Sequence, residues 1–265
     1  MRRTILSSIL VLMSAMACAQ STSPDSLYDR GIDAITGVGD SENEPLGVDY
    51  FRRSAELGYG PGQIALAYYY ETGTVLAINQ TQAVELYRKA AQQGDPLAGW
   101  LVGRHYFLGN GVPRDLDVAQ KWLKQSADQG NAYGAYYYGR LLADRDYAKA
   151  PKYYKVAADL GLPQAQYFYA KALKDGRGIA QDRFTAYIWY TIAADAGYSA
   201  AAADLTELDN SGFITMTQVM EAKAKARDME QFVIRAVTAR GCSGWQGEFD
   251  EFPTPPPPKL QRFCH

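Results

Sequence analysis

The sequence predicts an all-α protein, an α/α superhelical solenoid of stacked helical hairpins that ends in a capping helix and an irregular tail. Three observations predict it. Ala-x-x-Gly steps ending at Gly58, Gly94, Gly130, Gly161 and Gly197 recur at intervals of 36, 36, 31 and 36 residues, the mark of a tandem helical repeat. Small and bulky residues return at fixed positions between these glycines. Finally, 47% hydrophobic and 21% charged residues describe a folded chain, and the 20 tyrosines suit packed amphipathic helices. A unit of this size cannot bury its own apolar face, so it must stack on its neighbours. The expected product is a long surface for a partner, with no single catalytic cleft.

Residues 1–19 read as an export signal. Arg2 and Arg3 supply the positive start, Ile5 to Met13 the apolar stretch, and Ala17-Cys18-Ala19 the small-residue cleavage site. The apolar stretch is too short to span a bilayer comfortably as a helix, so no transmembrane span is expected in the mature chain. A periplasmic or secreted protein is expected. The alternative is a lipoprotein anchored through Cys18, against which stands the missing leucine three residues before that cysteine. Loss of Arg2 and Arg3 leaves 25 basic against 29 acidic side chains. This is a balance for solubility and no footprint for nucleic acid.

The solenoid is expected over residues 20–212, with units at 23–58, 59–94, 95–130, 131–161 and 162–197 and a partial unit at 198–212. Each first helix starts just after the glycine. Asp95 before Pro96 offers an N-cap followed by proline in the first turn, and Asn131 can cap the next unit. Each second helix ends at the glycine, which supplies left-handed backbone for the reversal. Ala67, Gly103, Gly139 and Ala170 in the first helices and Ala83, Ala119, Ala150 and Ala186 in the second mark close helix crossings. Beside them stand Leu86, Trp122, Tyr153 and Trp189, then Tyr87, Leu123, Tyr154 and Tyr190, a large-against-small pattern suited to a core.

The turn inside the hairpin carries Gly73-Thr74-Val75, Gly109-Asn110-Gly111-Val112 and Gly176-Arg177-Gly178-Ile179, with Asp115 and Asp182 a few residues later. No strand precedes these glycines and no lysine-serine pair follows, so they read as turns and not as a phosphate cradle. The fourth unit lacks five residues between Leu142 and Ala150, which explains the 31-residue interval.

The combination of Gly103, Tyr106, Gly109, Gly111, Val112, Asp115, Ala119, Trp122, Ala127 and Gly130 resembles the Sel1-like repeat family. Ala170, Gly176, Gly178, Asp182, Ala186, Trp189 and Gly197 carry the same likeness into 162–197. The resemblance is strong over 59–197, degenerate over 23–58 and absent from about 237 onward. It implies a right-handed superhelix similar to tetratricopeptide arrays, used for protein–protein assembly and often found in bacterial envelopes, with no shared enzymatic activity.

Thr215-Met216-Thr217-Gln218 resembles a capping box opening a helix within 213–239, expected to cover the last apolar face. Residues 240–265 form a glycine- and proline-rich tail that favours polyproline II and makes no core. It holds Cys242 and Cys264, an even pair expected to form a disulfide in an oxidising compartment.

Chemistry is scarce. His105 lies within a repeat helix and His265 ends the sequence, so no histidine triad or multi-histidine metal site can be assembled. No enzyme activity and no cofactor or metal is expected. Cysteine-rich relatives associated with β-lactam binding or hydrolysis carry a disulfide in nearly every repeat. Here the repeats have no cysteine, and no serine-x-x-lysine motif is present. For binding, with Val102, Tyr138 and Tyr169 facing inward, residues two places later lie about 200° round the helix and are expected outside. These are Arg104, Arg140 and Lys171, and two places before the inward residues are Trp100, Tyr136 and Tyr167. This gives a ladder of cations beside aromatic faces, expected to take a protein or peptide partner or an envelope glycan. The competing reading packs those aromatics between units and leaves the cations to solvate a face.

Overall fold

The computed structural model describes residues 23–38 and 42–239, with side chains described to residue 231. The predicted signal, Cys18, the Cys242–Cys264 pair and the tail lie outside the described residues. Twelve helices and no strand occur among those described. They are α1 (Pro24–Thr36), α2 (Glu44–Glu56), α3 (Gly60–Thr72), α4 (Gln80–Gln92), α5 (Pro96–Leu108), α6 (Leu116–Asp128), α7 (Ala132–Arg145), α8 (Ala150–Asp159), α9 (Pro163–Asp175), α10 (Arg183–Asp195), α11 (Ser199–Asn210) and α12 (Met216–Ala239). Odd-numbered helices from α1 to α9 are the first helices of the hairpins and even-numbered ones the second. Each helix packs on the next along the array from α1 to α11, and α12 packs back on α10.

The reversals follow from the glycines. Gly58, Gly94, Gly130, Gly161 and Gly197 adopt φ of 86°, 94°, 86°, 85° and 90°, a region that costs an L side chain energy. The next residue's N–H then bonds back over the helix end: Tyr59 to Ser54, Asp95 to Ala90, Asn131 to Ser126, Leu162 to Ala157 and Tyr198 to Ala193. This is the six-to-one bond of a Schellman ending, repeated five times. Asp95 and Asn131 cap as the sequence predicts, accepting from Ala98 and Gly134 at 2.8 Å. Asp115 and Asp182, with no assigned task in the sequence, cap α6 and α10 by accepting from Val118 and Thr185.

The second glycine of the turn is there for a close approach. Gly111 sits at φ 71°, and a Cβ placed on it would lie 2.5 Å from the carbonyl carbon of Gln80, at the start of the preceding unit's second helix. Thr81 Oγ1 donates to the Gly111 carbonyl at 3.1 Å across the same junction. In the fourth unit only residues 146–149 join α7 to α8, and α8 starts without a side-chain cap.

Small against large holds as expected. Gly103 faces Leu123 and Gly139 faces Tyr154, each bulky partner at most 5% exposed. The first helix α5 is apolar nearly all round, with nine of its thirteen residues buried. The array closes through α12. Its capping box is formed, with Gln218 N donating to Thr215 Oγ1 at 3.3 Å and Thr215 N donating to Gln218 Oε1 at 3.0 Å. Ile214, Ala222 and Ala226 are buried in the same contiguous core as α10.

Two glycines on α5 give a paired test. A Cβ at Gly103 would fall 2.6 Å from Leu123 Cγ, whereas one at Gly99 would meet Ser126 Cβ at an ordinary 3.5 Å. Gly103→Ala should destabilise by about 1–3 kcal/mol. Gly99→Ala should be neutral or stabilise by up to about 1 kcal/mol through helix propensity. Thermal or urea unfolding of the two variants checks the helix crossing.

Candidate functional site

The ladder exists, with much of it inside the array. Arg104 lies 5.7 Å from the Trp100 ring, Arg140 5.8 Å from Tyr136 and Lys171 5.8 Å from Tyr167. Each cation therefore stands over the aromatic residue four places earlier, as the register predicts, because residues four apart share a helix face. The expected exposure is corrected for three of the six. Trp100 is 0%, Arg104 3% and Tyr136 2% exposed. Trp100 stacks on Tyr133 at 4.5 Å, and Tyr136 lies against Tyr137, Tyr154 and Phe168. The competing reading, aromatics packed between units, applies to these two. Arg140 and Tyr167 are half-buried, and Lys171 is exposed.

The cause lies in how successive first helices meet. Counting from the residue after each glycine, the cations occupy position 10, and position 13 of the preceding unit comes beside them. For Arg104 that residue is Glu71, which takes its guanidinium in a buried ion pair. For Arg140 it is Phe107, whose ring centroid lies 6.0 Å from the guanidinium carbon. For Lys171 it is Ala143, too short to reach. At the next junction the polarity reverses: position 13 is Lys174 and position 10 is Glu207, 3.7 Å apart, with Asp204 also 3.7 Å from the same ammonium.

Glu71 is the centre of a polar cluster that the sequence reading missed. Tyr87 from α4 donates to its Oε2 at 2.9 Å, and His105 Nε2 from α5 lies 3.5 Å from the same oxygen. His105 Nδ1 donates to the Asn110 carbonyl at 2.9 Å, which orients the ring and ties the hairpin turn to the cluster. Burial alone would raise the Glu71 pKa, but the His105 contact, the Arg104 charge and the Tyr87 hydroxyl outweigh it and hold the carboxyl below its ordinary value. Burial, with the Glu71 charge beside it, pushes the Tyr87 phenol well up. The available signal is a lone carboxylate after Tyr68-Tyr69-Tyr70, one residue type out of place on an apolar helix. The cluster has structural chemistry, one carboxylate held by Tyr87 and Arg104 so that three helices are joined through it. Among the described residues no group of histidine, cysteine and acidic side chains could hold a metal ion.

A family model described as Sel1 repeat matches residues 24–59, 60–95, 96–131, 132–162 and 163–198. Among solved structures the chain is similar to a Sel1 repeat protein from Oxalobacter formigenes, at 25% identity over 80% of this chain and 86% of that one, with a TM-score of 0.69. It also shares its fold with a protective antigen present in uropathogenic Escherichia coli strains that displays an SLR fold. There the identity is 23% over 89% of this chain and 60% of that one, and the TM-score is 0.55. No helix among the described residues is long and apolar enough to cross a membrane.

Arg104 and Lys171 occupy one repeat position and should behave oppositely. Arg104→Ala strands a buried carboxylate and should cost about 3–5 kcal/mol, while Lys171→Ala should change stability by less than about 0.5 kcal/mol. Denaturant unfolding of both variants checks this. The depressed Glu71 pKa adds a pH signature: its stabilisation is complete above the ordinary carboxylate range and is lost as pH falls through the folded value. The stability gap between the unaltered protein and Glu71→Gln should therefore close on acidification, as measured by unfolding across a pH series.

Proposed function

The chain belongs to the Sel1 repeat family, and from that premise we propose that it is an exported scaffold that binds a protein or peptide partner in the bacterial cell envelope. The observation that carries the reading is the stretch of first-helix face on α7 and α9, where Arg140 lies over Tyr136 and Phe107 and Lys171 lies exposed over Tyr167. Of this stretch the exposed part is Lys171 beside the half-buried Tyr167, an ammonium for a carboxylate next to an aromatic ring, and aromatic residues are enriched at protein interfaces. The α3–α5 part of the same face serves a different purpose, since Arg104 is consumed by Glu71. Export rests on the Arg2-Arg3 start, the Ile5 to Met13 stretch and the Ala17-Cys18-Ala19 site. Cleavage after Ala19 gives a periplasmic or secreted chain, and lipidation at Cys18 would give an anchored one.

The reading is that of a scaffold and not of an enzyme. Its polar cluster joins one unit to the next through Glu71 and Arg104, and the aromatics beside it, such as Trp100 and Tyr136, are packed between helices. An envelope glycan is the alternative ligand, and salt separates the two. A carboxylate-bearing peptide should lose affinity several-fold as added salt screens Arg140 and Lys171, whereas sugar stacking on rings should change little. The test is crosslinking capture from envelope extract with residues 20–265 as bait, alongside an Arg140→Glu/Lys171→Glu variant of unchanged melting temperature. A captured protein that is lost in the variant, with salt-sensitive binding, is the expected result. Undiminished capture by the variant would remove this face from the function.

A further inference from the structure

In the fourth unit, where only residues 146–149 join α7 to α8, two tyrosine rings meet across the hairpin. The ring centroids of Tyr138 on α7 and Tyr153 on α8 are 4.5 Å apart, with the ring planes at 73°. Other tyrosines that meet from different parts of the array stand farther off: Tyr167 and Tyr198 at 5.1 Å, Tyr28 and Tyr59 at 5.8 Å, Tyr136 and Tyr154 at 6.4 Å. Ordinary aromatic packing covers centroid distances of about 4.5–7 Å. The Tyr138–Tyr153 pair sits at the short end of that range, close to the centre-to-centre distance of two directly bonded phenyl rings.

The pair also lies at the surface. Tyr153 is half-buried, and although Tyr138 is only 6% exposed, the charges that act on its phenol belong to Lys124, Asp128 and Lys149, all exposed side chains. Its hydroxyl end therefore reaches the outer edge. The Trp100–Tyr133 stack has the same 4.5 Å separation, but there the indole is wholly buried. Lys124 pairs with Asp128 at 2.5 Å and Lys149 with Asp146 at 2.6 Å, so neither ammonium stands bare beside the phenols. Burial holds the Tyr138 phenol above its ordinary value, so it keeps its proton until oxidised. Lys152, 5.5 Å from the Tyr153 ring centroid, opposes loss of an electron from that ring, and a strong oxidant is required.

We propose that Tyr138 and Tyr153 are an oxidative crosslinking site, a pair placed to be joined as dityrosine when a one-electron oxidant of the peroxidase–peroxide class reaches the array. Each phenol gives up one electron and its hydroxyl proton, and the two phenoxyl radicals couple through one carbon ortho to each oxygen. The two ring hydrogens at the new bond then move to the oxygens, which restores both phenols. The net loss is two electrons and two protons, and these convert one hydrogen peroxide to two waters. The new carbon–carbon bond ties α7 to α8 in the hairpin that lacks the glycine turn and whose second helix starts without a side-chain cap. Such a link restricts the unfolded chain as a disulfide does, so oxidation locks the array at its shortest hairpin. Tyr138 lies two residues from Tyr136 and Arg140, hence on another side of α7, and the site does not depend on the proposed binding face.

The test treats residues 20–265 at low concentration with a haem peroxidase and hydrogen peroxide, isolates the monomer and maps linked peptides by mass spectrometry. Tyr147, 61% exposed, is the reference, since its oxidation shows that the oxidant has acted. The expected result is a Tyr138–Tyr153 peptide pair, lighter by two hydrogens, as the main link within one molecule. Dityrosine fluorescence of the monomer should be lost in both Y138F and Y153F and retained in Y167F. The untreated variants should melt with the unaltered protein, because the rings are kept. The linked monomer should melt roughly 5–10 °C higher. Oxidised Tyr147 with Tyr138 and Tyr153 unlinked would overturn the proposal, as would a main link between any other residues or fluorescence that persists in Y138F or Y153F. A linked monomer that melts no higher would overturn the lock.

Discussion

No hairpin of this protein can bury its own apolar surface, and everything else in the structure answers that constraint. The first helices show it most plainly. In α5 the buried residues run from Leu97 to His105 without a break, so there is no solvent face in that stretch. Such a helix is stable only when flanked, and α5 is flanked by α4, α6 and α7 while Arg104 reaches back to Glu71 on α3. The required proximity is set by small residues at the crossings, and the phase of each hairpin is set by the glycine that ends the one before. Burial drives the stacking; the glycines decide where it can happen.

The junctions between units are where one repeat position acquires different tasks. The pair formed by position 10 and the preceding position 13 is a buried ion pair at the second junction, a cation over a ring at the third, a lysine beside an alanine at the fourth and a reversed ion pair at the fifth. A buried charge pair is a costly form of cohesion, because both ions leave water, and it holds here because Tyr87 and Arg104 meet the Glu71 oxygens. Where the partner shortens to alanine, the cation returns to solvent and becomes available. The proposed binding role thus falls where cohesion between units is relaxed.

The repeat architecture was legible because backbone punctuation is local. A glycine in left-handed backbone, an aspartate before a proline and a threonine three residues before a glutamine each act within one turn, so Gly94, Asp95 and Thr215 declare their work in sequence. The facing of Trp100, Arg104 and Tyr136 was not legible by the same route. A rotation of about 200° from an inward residue points to water only when one side of the helix is covered, and α5 and α7 are covered on several sides. Glu71 escaped for a related reason: its partners sit 16, 33 and 34 residues away on other helices, and only the repeat phase brings them together. The pairing of each cation with its own aromatic was legible, since it is an i, i+4 relation within one helix.

The central claim is that the units are interchangeable modules held by their phase. The direct measurement is the unfolding of a chain from which residues 96–131, one whole matched unit, have been deleted. In that chain α7 would follow α4, and Arg140 would come opposite Glu71 at the position Arg104 now holds. The account predicts a helical protein that unfolds in one cooperative transition at a lower midpoint, with Glu71 still coupled to the arginine in a double-mutant cycle. A chain that loses cooperative unfolding, or folds with no coupling between Glu71 and Arg140, would contradict it.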